Sequence, residues 1–206
     1  MKNTLLLITI LLLTACTPAP ETSNIDMNMN MDMDTNDTKE MKNLKNALSK
    51  YTQATIDNDV DVLVGFIYSK AFSIVPKEKM LEMLKKAFKS GKVPKVKNIK
   101  HTKIEEIKEY DKGLYSIISS SMTTIVKSPR PNDPKFEQYM LKTLQKRLSS
   151  RGTVTIDKEK HLFNIQYTNK TMALNENGKW KFVGFKQAEK YISKGIFPLT
   201  LIEKLN

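Results

Sequence analysis

The 206-residue chain is poor in the residues that usually carry chemistry. It has one cysteine, Cys16, two histidines, His101 and His161, one tryptophan, Trp180, and seven glycines. A single cysteine excludes internal disulfides and thiolate metal clusters, so a folded domain must rest on its apolar core. No glycine-rich phosphate loop, Gly-x-Ser-x-Gly elbow or His-Glu-x-x-His pair occurs. With two isolated histidines, the residues propose neither a metal site nor a bound cofactor. Acids are outnumbered, with 22 Asp and Glu against 34 Lys and Arg. Only one long apolar run exists, Leu5 to Leu13. It is about half the roughly 20 residues of a spanning helix.

That run gives the lone cysteine its meaning. Lys2 precedes it as a positive n-region, and the small residues Thr14 and Ala15 follow, as a signal peptidase requires. Leu13-Thr14-Ala15-Cys16 resembles a bacterial lipobox, in which Leu, a small residue and Ala or Gly precede the cysteine. The resemblance implies a signal peptide over residues 1–15, cleavage before Cys16 and lipidation of its thiol. One acyl chain holds marginally, whereas two or three, at about 0.8 kcal/mol per buried CH₂, make a durable anchor. Thr17 rather than Asp follows the cysteine, which by the enterobacterial sorting rule implies the outer membrane.

Charge is unevenly spread. Residues 17–40 carry six acids, Glu21, Asp26, Asp32, Asp34, Asp37 and Glu40, against one base, Lys39. With Pro18, Pro20 and no aromatic residue, residues 16–40 read as the lipidated cysteine and a disordered tether. Inside it Met27, Met29, Met31 and Met33 alternate with Asn and Asp. Four thioethers can offer soft ligands to Cu(I) or Ag(I), although low-complexity drift in a spacer explains them more simply. Residues 41–206 are left near +16, which favours anionic partners, an anionic lipid or an acidic envelope protein. The expected location argues against nucleic acid.

Residues 41–206 read as one α+β domain. Leu44, Ala47, Leu48, Tyr51 and Ala54 mark a first helix behind a cap at 37–40, and Asn58-Asp59 breaks and recaps it. Val60, Leu63, Val64, Ile67 and Tyr68 predict a second helix. Phe72 to Val75 is a short link. Pro76 opens a third helix with Met80, Leu81, Leu84, Ala87 and Phe88 as its stripe, stopped at Ser90-Gly91. Lys92 to Tyr110 reads as one irregular or bulged strand, 111–113 as a turn and Leu114 to Val126 as a long strand. A proline-rich loop over 128–134 precedes a basic amphipathic helix near 134–150, fit to cap a sheet or to lie on an anionic membrane. Val154 and Ile156 mark a short strand, His161 to Leu174 a long one, and Asn175 to Gly178 a hairpin turn into Lys179 to Phe185. Residues 187–206 read as a broken helix.

Three helices followed by long antiparallel strands, closing on a Gly-Lys-Trp-Lys-Phe hairpin, resemble the nuclear-transport-factor-2-like superfamily. The resemblance covers residues 41–186. It implies N-terminal helices packed on a curved, cone-like antiparallel sheet, with the helix near 134–150 as an insertion. It also implies that an enzyme of this kind would hold a carboxylate base inside the cone. The candidates are Glu105, Glu106 and Glu109, with Lys103 and Lys108 beside them favouring a solvated face. Tyr115, Tyr167 and Trp180 can line a pocket or fill the core. His101 and His161 both fall on predicted strands, where they can face each other across the sheet. The reading is therefore a lipid-anchored envelope protein with a binding domain. Its rivals are an isomerase- or dehydratase-like enzyme and a soft-metal binder.

Overall fold

The computed structural model describes residues 37–90, 93–110, 113–185, 191 and 197. Cys16, Met27, Met29, Met31 and Met33 lie outside the described residues, as does most of the broken helix expected at 187–206.

Local signals set the helical entry. Thr38 caps α1 (Lys39–Asp57) by accepting from the Met41 amide at 3.2 Å. Leu44, Leu48 and Thr52 recur every fourth residue and are buried. Asn58 ends the helix in the left-handed region at φ 57°. Asp59 then accepts from the Val62 amide at 3.1 Å and starts α2 (Val60–Gly65).

α2 is shorter than the periodicity predicts. Ile67 and Tyr68 lie beyond it, because the Phe66 carbonyl is taken by the Phe182 amide at 2.8 Å. A tertiary bond to the sheet thus competes with helix continuation. A 3₁₀ turn over Ser69–Ser73 leads to α3 (Lys77–Lys89), with Pro76 at its N-cap. Only Leu84 of the α3 stripe is fully buried. Met80, Leu81 and Phe88 are half-buried against Val60 and Val64 of α2.

Among the described residues six strands form one antiparallel sheet: β1 (Lys95–Ile104), β2 (Lys108–Tyr110), β3 (Gly113–Lys127), β4 (Gly152–Asp157), β5 (Leu162–Glu176) and β6 (Lys179–Gly184). β3 and β5 run side by side at its centre. β1 and β2 share the outer edge of β3, while β4 and β6 share that of β5. The irregular strand expected at 92–110 is therefore two strands. β1 carries register shifts at Val96/Asn98 and His101/Lys103, the kind of bulge that bends a sheet. The result is the α+β architecture expected, helices first and a curled antiparallel sheet after them.

The hairpin closes as the sequence requires. Asn177 and Gly178 take φ 51° and 80°, and the Asn175 side chain accepts from the Gly178 amide at 2.9 Å.

Antiparallel pairing sorts side chains onto two faces. The inner face, under α1, carries Ser116, Ile118, Ser120, Thr124 and Val126 of β3, facing Ala173, Thr171, Asn169, Ile165 and Phe163 of β5. Leu44 and Leu48 seat there with Ile118, Ala173, Trp180 and Phe182. Each fully buried leucine contributes about 1.5–3 kcal/mol. α4 (Pro134–Leu148) seals the other end, with Leu144 and Leu148 on Val126, Val154, Phe163 and Ile165. The apolar face of the basic helix is thus spent on the sheet, the first of the two roles its pattern allows. The outer face packs Tyr115, Met172, Leu174 and Val183 under Tyr68, Ala71, Tyr191 and Phe197. Among the described residues no helix is long and apolar enough to cross a membrane.

Candidate functional site: a filled interior and a cationic groove

The inner face holds an unusual share of polar groups. β3 turns Ser116, Ser120 and Thr124 inward, all buried. His101 of β1 stands opposite Ser120 and reaches α1 above it. Its Nδ1 lies 2.8 Å from Ser120 Oγ and its Nε2 2.8 Å from Thr52 Oγ1. Both ring nitrogens are engaged, and burial pushes the imidazole below its usual pKa of 6.5. His101 is a neutral latch between helix and sheet rather than a free base. Farther along, Asn169 Nδ2 lies 4.0 Å from Met122 Sδ, and the Thr124 hydroxyl has no hydrogen-bond partner among the described residues. Burial raises the pKa of the Tyr51 and Tyr167 phenols, keeping them protonated.

The candidate carboxylates are elsewhere. Glu106 and Glu109 are exposed. Glu105 is half-buried, with its carboxylate 3.6 Å from the exposed amine of Lys103. Its backbone is tied to β3 by Ser116 Oγ donating to its carbonyl at 2.7 Å and by its own amide donating to the Ile117 carbonyl at 2.9 Å. Glu106 and Glu109 line a concavity of about 570 Å³ together with Ile107, Lys108 and Tyr115.

Tyr115, Tyr167 and Trp180 do not meet in one pocket. Register places Tyr115 on the outer face, in the cluster under Tyr68, while Trp180 and Tyr167 belong to the inner face. Those two separate again, Trp180 beneath α1 and Tyr167 against the α4 end. The strand period of two makes this unavoidable once the register is set. Trp180 Nε1 and Tyr115 Oη are buried without a hydrogen-bond partner among the described residues.

Nor do the histidines face one another. His161 sits in the turn before β5, at φ 52°, not on the strand. Its Nδ1 lies 3.0 Å from Oε1 of Glu137, a nearly buried carboxylate on α4. The sequence reading missed Glu137. Its spacing of three, four, seven and eleven positions before Met140, Leu141, Leu144 and Leu148 puts it on the apolar side of α4, and that is the signal that marks it. Among the described residues no group of three or more His, Cys, Asp or Glu side chains is placed to hold a metal.

A groove of about 390 Å³ lies between α1 and β6. Its lining includes Ala47, Phe66 and the nearly buried Trp180, and Lys50, Lys179 and Lys181 supply its charge. No carboxylate lines it among the described residues. Lys181 is half-buried and donates to the Gly65 carbonyl at 2.5 Å. Burial lowers its pKa, partly offset by Glu176 nearby. A half-desolvated amine gains more from an anion than a fully hydrated one does.

The chain matches no family model and no curated protein. A similar solved structure is that of a proposed dehydratase from the NTF2-like family of Streptomyces avermitilis. It is 10% identical, with 69% of this chain and 90% of that chain covered and a TM-score of 0.34. The fold described above rests on the chain's own elements and register.

Proposed function

We propose that this protein is a bacterial envelope lipoprotein, anchored through Cys16, whose domain works by binding an anionic group rather than by catalysis. The observation that carries the binding reading is the groove, whose lining includes Lys50, Lys179 and Lys181 and no acid among the described residues, with Glu176 lying near Lys181. The interior supports it from the other side. His101 spends both nitrogens on Thr52 and Ser120, and Glu105 is half-buried beside Lys103, so the isomerase- or dehydratase-like rival would have to draw its base from Glu106 or Glu109, exposed residues beside Tyr115.

The anchor reading rests on Leu13-Thr14-Ala15-Cys16 and the short apolar run before it, and Thr17 directs it to the outer membrane. An anchored domain near +16 is held close to anionic headgroups, where each lysine near the surface contributes about 1 kcal/mol. Soft-metal binding by Met27, Met29, Met31 and Met33 is a separate reading that nothing in the domain favours.

Two measurements test the proposal. Metabolic labelling with a palmitate analogue should mark the wild-type chain and leave Cys16→Ala unlabelled; label retained on the variant ends the anchor reading. Sedimentation should favour phosphatidylglycerol over phosphatidylcholine vesicles in a salt-sensitive way. The triple change Lys50→Gln, Lys179→Gln, Lys181→Gln should weaken that preference about tenfold or more. Equal sedimentation of variant and wild type removes the groove from the account.

A further inference from the structure

α4 differs from the other α-helices described in where its charges point. α1 carries Glu40 and Asp57 outward among its lysines, α2 carries Asp61, and α3 carries Glu78 and Glu82. α4 has a single acid, Glu137, and it is turned inward onto His161. Asp133, just ahead of the helix, is occupied as its N-cap, accepting from the Phe136 amide at 2.9 Å, and lies 4.0 Å from Arg130. The charged groups on the outward surface of α4 are therefore all bases, Lys135, Lys142, Lys146 and Arg147. Elsewhere lysines meet acids, Lys45 with Asp37, Lys85 with Asp61 and Lys103 with Glu105. Among the described residues no ion pair holds a lysine of α4.

Helical spacing gathers these charges into a ridge. At 3.6 residues per turn, Lys135, Tyr139, Lys142 and Lys146 fall within about 60° of one another. That arc lies opposite Glu137, Leu144 and Leu148, the buried residues of the helix. The ridge runs about 17 Å from Lys135 to Lys146 at 1.5 Å per residue. Its backbone is already fixed, because the buried stripe is packed on Val126, Val154, Phe163 and Ile165. A surface ordered by folding has less entropy to lose on binding.

Tyr139 is the residue that a plain solvated lysine face does not account for. It is 67% exposed and, with Val62, is one of two exposed large hydrophobic side chains among the described residues. It stands in the middle of the cationic row rather than at its margin. A tyrosine flanked by lysines matches the boundary between headgroups and acyl chains, where the ring is sheltered and the hydroxyl stays wet. Lysine suits the same boundary, laying its stem along apolar surface while its amine reaches a phosphate. A convex ridge with one projecting ring offers no pocket for the buried anchors of a shaped protein partner. A fluid anionic surface fits it instead.

We propose that the outward ridge of α4, formed by Lys135, Tyr139, Lys142 and Lys146, seats the domain on an anionic phospholipid surface, with the Tyr139 ring among the headgroups and the three amines on phosphates. The helix then serves in both ways its pattern allows, sealing the sheet with one side and meeting the membrane with the other. The inference rests on the envelope reading, which brings the domain to a membrane, and not on the groove. The groove lies along β6, at the opposite end of β5 from β4 and α4.

A tryptophan probe at position 139 of the full chain tests it. The wild-type chain is the blank, since its only tryptophan, Trp180, is buried. Emission of Tyr139→Trp should shift to shorter wavelength with phosphatidylglycerol vesicles, be quenched by lipids brominated on their acyl chains, and return on adding salt. Phosphatidylcholine vesicles, compared at equal bound protein, should do neither. The readout is the surroundings of one side chain rather than the fraction of chain bound, so acyl labelling and sedimentation do not decide it. Adding Lys135→Gln, Lys142→Gln and Lys146→Gln should abolish the shift and the quenching, while the same three changes to Arg should preserve them. Adding Lys50→Gln, Lys179→Gln and Lys181→Gln should leave both in place, which separates the ridge from the groove. A probe that stays in water on phosphatidylglycerol overturns the proposal and leaves the ridge to solvent or to an acidic protein. Equal quenching in both lipids overturns it, and so does a signal lost with the groove lysines but kept without the ridge lysines.

Discussion

His161 Nδ1 and Glu137 Oε1 lie 3.0 Å apart and tie α4 to the turn that enters β5. Two residues 24 positions apart in the chain become one contact, and the carboxylate is nearly buried. The turn holds His161 at φ 52°, a conformation uncommon for a residue with a side chain, so the surrounding contacts enforce it. A buried acid needs a partner, and here the imidazole supplies it.

Removing the acid should therefore cost stability. Glu137→Ala leaves His161 without its acceptor and should destabilise the domain by about 1–3 kcal/mol in urea unfolding. Glu137→Gln keeps an acceptor oxygen and should cost less. Equal losses for the two would mean that the contact with His161 contributes nothing beyond packing.

His101 gives a pH dependence of defined sign. Its folded pKa lies below the unfolded value of 6.5, so the unfolded chain binds the proton more readily. The stabilisation is complete above pH 6.5 and is lost as pH falls through the folded value. Unfolding free energy measured across this range should decline on acidification, and His101→Asn should flatten that decline. A variant with the wild-type slope would show that the latch is not the titrating group.

Trp180 separates packing from hydrogen bonding. Its indole is 3% exposed, and its Nε1 has no partner among the described residues. Trp180→Ala should cost about 3–5 kcal/mol. Trp180→Phe removes an unsatisfied donor while keeping most of the apolar volume, and should cost under about 1.5 kcal/mol. A Phe variant as damaged as the Ala variant would show that the indole nitrogen has a partner.

Gly152 is a steric requirement rather than a conformational one. Its φ of −179° is open to any residue. A Cβ there would run into the Gln166 carbonyl and approach Tyr167 Cβ to 2.7 Å, both on the neighbouring β5. Because the Gln166 obstacle is backbone, Gly152→Ala should destabilise by about 1–3 kcal/mol. Gly184→Ala, at the end of β6 with nothing within 4 Å among the described residues, should be tolerated. Thermal melts of the two variants make the comparison.

What the sequence by itself determined is what short-range physics decides. Thr38 as a cap, Asn58-Asp59 as a break and restart, Pro76 before α3 and Asn177-Gly178 as a hairpin all stand where their residue types place them. Each depends on a few neighbouring backbone groups. The long strand at 113–127 and the irregularity before it were legible for the same reason. Which face of that strand turns inward was not. Leu114, Ser116, Ile118 and Ser120 are no more apolar than Tyr115, Ile117, Ser119 and Ser121, so the local pattern leaves parity open. Only pairing with β5 and the weight of α1 on Ile118 decided it. That choice sent Tyr115 to one face and Trp180 to the other, dissolving the pocket the sequence allowed. The same tertiary contacts cut α2 short at Gly65, paired His161 with Glu137 and gathered Lys50, Lys179 and Lys181 beside Trp180. The groove draws on residues some 130 positions apart, and no pattern of spacing along the chain encodes that proximity.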